Sequence, residues 1–292
     1  MSRRGWVLFL AMSLIWGIPY LLIKIAVAEL SPATLVLART AIAAVLLTPV
    51  ALARGQLGPL VRHWRPLLAY TVVELCIPWY LLAVAEQTLS SSLTGLLLAT
   101  VPLVSAVLVV VTGHERLGPR RVLGLLVGFA GVGLLVGLDI GTGNLTAVAA
   151  LAVVAVCYAA GPFILARRLS GEPELAVVAG SLLISTVAYL PFGIAQAPAT
   201  VPSIDTVLAV LALGLVCTAA AFLLFFKLIA EVGPARATVI TYVNPAVALA
   251  LGVAVLDEPF TLAMAVGFGL ILTGSVLGTG RDRSRVPAPA EP

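Results

Sequence analysis

Long apolar runs separated by short polar breaks organise the whole chain. The runs are about 18 to 24 residues long, enough for a helix to cross a hydrocarbon core of about 30 Å. They lack the period-two alternation of a membrane barrel strand. Lipid offers backbone groups no hydrogen-bond partner, so such runs must be helices. The pattern predicts spans at 6–26, 33–53, 66–85, 89–112, 121–138, 146–166, 175–196, 205–229, 235–256 and 261–279. The expected fold class is therefore an all-α integral membrane protein with ten transmembrane helices.

Composition agrees. Of 292 residues, 61% are apolar and 10% charged, against about 25% charged in a soluble domain, and the mean hydropathy is +1.14. The charges set the orientation. With the N-terminus in the cytoplasm, cytoplasmic ends and loops hold 15 of the 17 basic residues, and the outer loops hold none. This is the positive-inside pattern, and it places both termini in the cytoplasm of a plasma (inner) membrane protein. The other two, Lys24 and Arg39, lie within spans. The start imitates a signal peptide, but the run from Trp6 to Ile23 is too long for one and Lys24 interrupts the approach to a cleavage site. It reads as an uncleaved first span. Cys76, Cys157 and Cys217 fall inside apolar runs with no metal spacing. No solvated basic face exists to bind nucleic acid.

The stretches "VPLVSAVLVVVTGHERL" and "VNPAVALALGVAVLDEPF" align at a shift of 143: Pro102 on Pro245, Glu115 on Glu258, Gly124 on Gly267 and Gly131 on Gly274. A shift of 142 brings Pro49 onto Pro191 and Trp16 onto Tyr158. The chain thus divides into two five-span halves, 1–142 and 143–280, followed by a charged, proline-rich tail, 281–292, expected to be a disordered cytoplasmic end. Five is odd, so the second half must enter the membrane from the opposite side. This is an inverted repeat, an architecture of secondary transporters. The loop after Pro102 is basic and that after Pro245 is not, as opposite sides require. Gly124-x-x-x-Gly128, Gly133-x-x-x-Gly137 and Gly274-x-x-x-Gly278 gather small residues on helix faces, suited to internal packing or to a dimer.

Together, "IWGIPYLLIK" in span one, Arg39 early in span two, Pro102…Glu115-Arg116-Leu117 and Pro245…Glu258-Pro259-Phe260 resemble the EamA family of the drug/metabolite transporter superfamily. Members often carry a small residue before each glutamate; this chain has His114 and Asp257. The resemblance implies a carrier for small metabolites, commonly an exporter of amino acids or related compounds.

Charges within a bilayer are costly, so each asks for a reason. Glu74 is the one acid near mid-membrane, and Arg39 lies about 10 Å inside span two at 1.5 Å per residue. Two readings stand: Arg39 takes an anionic group and Glu74 an ammonium or a proton, or the two form a structural ion pair. Lys24 and Lys227, near span ends, are expected to carry their charges to the interface. Pro19, Pro102, Pro162 and Pro245 are read as helix breaks in corresponding spans, a pointer to a central site. Trp16, Tyr20, Trp79, Tyr80, Tyr158, Tyr242 and Asn244 lie near those breaks and are candidate substrate contacts; Trp79 and Tyr80 also suit an aromatic belt. Asn244 suits interhelical bonding equally.

The expected function is a secondary carrier working by alternating access, with no cofactor; coupling to protons is a hypothesis attached to it. Its partners are a small-molecule substrate and the lipid bilayer, as a monomer or homodimer. A lipid-scrambling or structural membrane protein is the alternative. An enzyme is disfavoured: His63 and His114 lie in loops and form no metal motif, and no phosphate loop is present.

Overall fold

The structure is a computed structural model and describes residues 1–112, 118–137 and 144–279. His114, Glu115 and the tail 281–292 lie outside the described residues. All regular structure among the described residues is helical. The main segments are α1 (Arg3–Ala26), α2 (Pro32–Ala53), α3 (Leu57–Glu86), α4 (Ser91–Val111), α5 (Pro119–Leu135), α6 (Leu145–Arg168), α7 (Glu174–Ala195), α8 (Ile204–Val232), α9 (Ile240–Leu256) and α10 (Leu262–Thr279). Eight of them are long and apolar enough to cross a membrane; α5 and α9 are 17 residues each. Large apolar side chains such as Val45, Leu52, Val187, Phe192 and Leu262 point outward. Lipid is the solvent that accepts such a surface.

Helices pair across the chain's midpoint: α2 with α7 and α5 with α10 most extensively, then α3 with α6, α4 with α9, and α1 with α8. The α1–α8 pair is antiparallel and clasped at both ends by one device. Ser2 caps α1 by accepting from the Gly5 amide at 2.9 Å, and its hydroxyl donates to Glu231 near the end of α8. Ser203 caps α8 by accepting from the Thr206 amide at 3.3 Å, and its hydroxyl donates to Glu29 just beyond α1. Glu29 also takes the Ser203 amide at 2.7 Å. Ser31 and Ser90 cap α2 and α4 in the same way. Serine suits these positions because its oxygen satisfies an amide that the helix leaves free.

The α5–α10 contact explains the glycines. A Cβ on Gly274 would collide with backbone atoms of Gly124 and Gly128, and one on Gly131 would lie 2.7 Å from the Gly267 carbonyl. Backbones therefore meet without side chains between them, the packing that small residues allow in lipid. Gly133, Gly137 and Gly269 face open space and take no part.

The prolines behave differently from the expectation of four matching breaks. Pro19 follows a real break: helix stops at Ile15 and resumes at Pro19. Pro102 follows another, between Leu98 and Val101. Pro162 and Pro245, by contrast, lie inside unbroken helices. A proline lacks one amide but keeps a helical φ, so flanking turns on α6 and α9 can carry it. The matching irregularity lies elsewhere. Val72–Cys76 in α3 and Leu215–Ala220 in α8 are π-helical, and their starts are 143 residues apart. Side chains satisfy carbonyls at both: the Tyr189 hydroxyl donates to the Cys76 carbonyl at 2.9 Å, and the Thr218 hydroxyl to the Leu213 carbonyl at 2.8 Å.

The turn after α9 places Glu258. Asp257 takes a left-handed φ of 52°, a conformation where glycine is easiest and aspartate is tolerated. This turns the chain back, and the Glu258 carboxylate accepts the Ser91 and Ser92 amides at 2.7 and 2.9 Å. It caps α4 from the turn that follows α9, the helix α4 packs against.

Two outcomes are expected. Gly274→Val should destabilise the protein by about 1–3 kcal/mol through overpacking, whereas Gly269→Ala should be neutral; thermal unfolding in detergent measures both. Glu29 outside the bilayer has its ionisation shifted below the ordinary carboxylate range, chiefly by the Ser203 hydroxyl and then by the Ser203 amide. A depressed carboxylate lends stability that is present above its unfolded-state value and lost as pH falls through the folded one. Ser203→Ala should therefore lower the neutral and alkaline plateau of a stability–pH profile toward the acidic value, flattening the acid limb and leaving stability at the acidic end unchanged.

Candidate functional site

Arg39, on α2, is only 7% exposed. Its guanidinium carbon sits 3.8 Å from the ring centre of Trp79 on α3, a cation–π contact that partly replaces water. Its Nε donates to Thr218 Oγ1 at 2.9 Å. Thr218 belongs to the π turn of α8, so the guanidinium, the hydroxyl and the Leu213 carbonyl form one chain of hydrogen bonds. Both Nη groups lack a hydrogen-bond partner among the described residues.

Glu74 lies in the other π turn, on α3. Among the described residues its carboxylate meets no hydrogen-bond donor, and Oε2 is buried. It packs directly on α6: a Cβ placed on Gly161 would overlap Glu74 Oε2. Gly161 is thus a seat for this carboxylate. Ion pairs among the described residues are Arg4–Glu231 and His63–Glu172. The expected alternative of an Arg39–Glu74 ion pair is not realised. Thr218 and Trp79 hold Arg39 instead, because the α8 π turn and the α3 ring reach it first.

Tyr158 bridges the two charged groups. It neighbours Trp79 and is within electrostatic range of both Arg39 and Glu74. Tyr20, on α1, neighbours Tyr158 and Arg39, and its ring lies 3.7 Å from where a Cβ on Gly95 of α4 would stand. Five of the nine candidates, Tyr20, Arg39, Glu74, Trp79 and Tyr158, therefore converge. Trp79 is buried under the guanidinium, not in an aromatic belt.

The other four serve elsewhere. Trp16 packs on Phe222 and Phe225 of α8, with ring centres 6.0 and 4.6 Å away. Tyr80 stacks on Tyr189 at 6.1 Å. Tyr242 bonds Thr279 at 3.2 Å near the end of α10. Asn244, with its amide nitrogen turned toward acceptors, donates to the Ser13 and Ile240 carbonyls at 3.1 and 2.9 Å, tying α9 to α1. Lys24 does not carry its charge outward. Its ammonium donates to the Glu86 and Leu89 carbonyls at 2.7 and 2.8 Å, where the end of a helix leaves acceptors free. Thr218 escaped attention in the sequence, and Gly161 was marked only as the neighbour of the expected break at Pro162. Thr218 is a lone hydroxyl in an apolar run, three residues from Leu215 where the π turn begins, and nothing in the sequence marks that turn.

Comparison with known proteins follows this geometry. The profile of the EamA-like transporter family matches twice, over residues 3–137 and 145–279. The uncharacterized inner membrane transporter YedA of Escherichia coli (strain K12) is 30% identical over 275 residues, covering 92% of this chain and 88% of its own. The uncharacterized transporter YvbV of Bacillus subtilis (strain 168) is 25% identical over 282 residues, covering 94% and 91%. An uncharacterized transporter of Archaeoglobus fulgidus is 23% identical over 274 residues, covering 93% and 97%. A solved crystal structure superposes with a TM-score of 0.66 at 24% identity, over 95% of this chain and 98% of that one, which shows a shared fold. A chain matched twice by one profile across most of its length, and built of membrane-length apolar helices, is a multi-pass membrane protein that belongs to the EamA-like transporter family.

Proposed function

We propose that the protein is a secondary carrier that moves amino acids or related small metabolites out of the cell by alternating access. One observation carries this reading: a buried guanidinium and a buried carboxylate face the same set of aromatic residues without pairing to each other. Arg39 keeps two donor groups free, and Glu74 keeps an acceptor free. A zwitterionic amino acid complements both, its carboxylate on Arg39 and its ammonium on Glu74. Arg is suited to planar carboxylates because its donors form a fork. Proton coupling through Glu74 belongs to the same proposal: a proton and an ammonium would compete for one carboxylate.

The architecture proposed is ten spans in two inverted five-helix halves, with both termini cytoplasmic. The helix pairing supports it. Shifting every helix number by five turns the α3–α6 pair into α8–α1 and returns α2–α7, α4–α9 and α5–α10 to themselves. The two π turns exchange under the same shift. Rocking one half against the other about these turns would open the cluster to each side. In the structure described here the cluster is packed closed, with Trp79 as buried as Arg39. A lipid-scrambling reading has less support. A groove of about 300 Å³ on the outer surface is lined by Ala246, Leu249, Ala250, Val253 and Phe260 and offers nothing to a polar headgroup.

Transport into and out of proteoliposomes tests the proposal. A charge-assisted hydrogen bond is worth about 1.5–3 kcal/mol, so Arg39→Gln is expected to lower transport at limiting substrate by about 10- to 100-fold. Glu74→Gln is expected to abolish any response to an imposed pH gradient, and Gly161→Ala to mimic it in part by displacing the carboxylate. Normal transport by Glu74→Gln would remove Glu74 from the account.

A further inference from the structure

A second group of unsatisfied oxygens lies apart from the Arg39 cluster, where α3 ends and α4 begins. Glu86, the last residue of α3, is 0% exposed, yet neither carboxylate oxygen has a hydrogen-bond partner among the described residues. Ser91 and Thr94, in the first turn of α4, are also 0% exposed, with both hydroxyl oxygens unpartnered. Among the described residues nine buried side-chain polar atoms lack a partner, and four of them belong to these three residues. So dense a concentration asks for a common cause.

The charges around the corner define what is missing. Lys24 enters from α1, but its ammonium is spent on the Glu86 and Leu89 backbone carbonyls and makes no ion pair with either carboxylate. Glu258 enters from the turn after α9, and its carboxylate is held by the Ser91 and Ser92 amides. Glu258 lies within electrostatic range of Glu86, as do Lys24 and the Tyr20 hydroxyl. Gly252 leaves room for the approach: a Cβ there would collide with the Glu258 carboxylate and the Ser91 and Ser92 hydroxyls. Two carboxylates against one ammonium leave one negative charge in excess, and of the three groups Glu86 is the one that water does not reach, Lys24 and Glu258 being half-buried. An uncompensated buried charge is strongly unfavourable.

We propose that Glu86, with the Ser91 and Thr94 hydroxyls, forms a site for one monovalent cation, a proton or Na⁺. One positive charge neutralises the corner. Carboxylate and hydroxyl oxygens are the ligands a hard cation takes, and the same carboxylate is an acceptor for a proton. The site joins α1, α3, α4 and the turn after α9, so its occupancy bears on how firmly these elements hold together. It does not depend on the transport proposal, because binding to the folded protein is measured without substrate.

The test uses the full-length protein in lipid nanodiscs and its thermal unfolding, since a ligand of the folded state raises Tm. Na⁺ is exchanged for choline at constant ionic strength, and pH is varied without Na⁺. If the ligand is Na⁺, Tm rises saturably with Na⁺; Glu86→Gln abolishes the rise, and Thr94→Val raises the half-saturating concentration by about tenfold. If the ligand is a proton, Na⁺ has no effect and wild-type Tm rises as pH is lowered. Glu86→Gln then stays near the acidic wild-type value at every pH, while Glu74→Gln retains the Glu86-dependent part. Should Glu86→Gln not fold, Glu86→Asp moves the carboxylate by one methylene and is expected to shift either half-saturation by about tenfold. The proposal is overturned if wild type responds to neither ion, or if the folded Glu86 variant follows wild type in both titrations.

Discussion

Hydrocarbon supplies no hydrogen-bond partners, and this constraint shapes nearly every polar contact in the protein. Each backbone group must be satisfied by the chain itself. Serines at Ser2, Ser31, Ser90 and Ser203 close the starts of helices. Glu258 closes α4 from a distant turn, and Lys24 takes up carbonyls at the end of α3. Even the two π turns, where the regular ladder is disturbed, have carbonyls met by Tyr189 and Thr218. Against this closure of the helix ends, the charged groups left open stand out: the Arg39 Nη atoms, the Glu74 carboxylate and the corner at Glu86.

The π turns link fold to site. A π turn adds a residue to one helical turn and re-aims the side chains beyond it, which is why such turns recur at functional positions. In α3 the turn carries Glu74 itself; in α8 it carries Thr218, the hydroxyl that fixes Arg39. A bound carboxylate that drew the guanidinium away from Thr218 would therefore act directly on the α8 turn. This gives a physical route from occupancy to helix movement, through one hydrogen bond.

Much of this was legible in the sequence. Membrane-length apolar runs marked the helical spans, because length and hydropathy alone decide whether a helix suits a bilayer. The glycines matched by the repeat, Gly124 with Gly267 and Gly131 with Gly274, marked the two helices whose backbones meet, because a glycine in an apolar helix needs a steric reason. Arg39 and Glu74 stood out because charge in lipid is expensive. What stayed hidden depended on three-dimensional geometry. Nothing in "VVELC" or "LVCTAA" encodes a π turn, so the matching irregularity was assigned to prolines, of which Pro162 and Pro245 turned out to lie in unbroken helices. Trp79 looked like an interfacial aromatic because sequence gives depth poorly and rotation about a helix not at all; it lies beneath the guanidinium. Asn244 and Trp16 proved to be packing groups, since amides and large rings serve helix contacts as readily as ligands.

The central claim is that Arg39 and Glu74 are unpaired because a single zwitterion joins them. The most direct measurement is the binding of three related compounds to the purified wild-type protein by calorimetry: an amino acid, the amine lacking its carboxylate, and the acid lacking its amine. The account predicts that the amino acid binds more tightly than either fragment by about tenfold or more, each lost charge-assisted contact being worth about 1.5 kcal/mol at least. Equal binding of the amine or the acid would contradict it, since one of the two buried charges would then have no part in recognition.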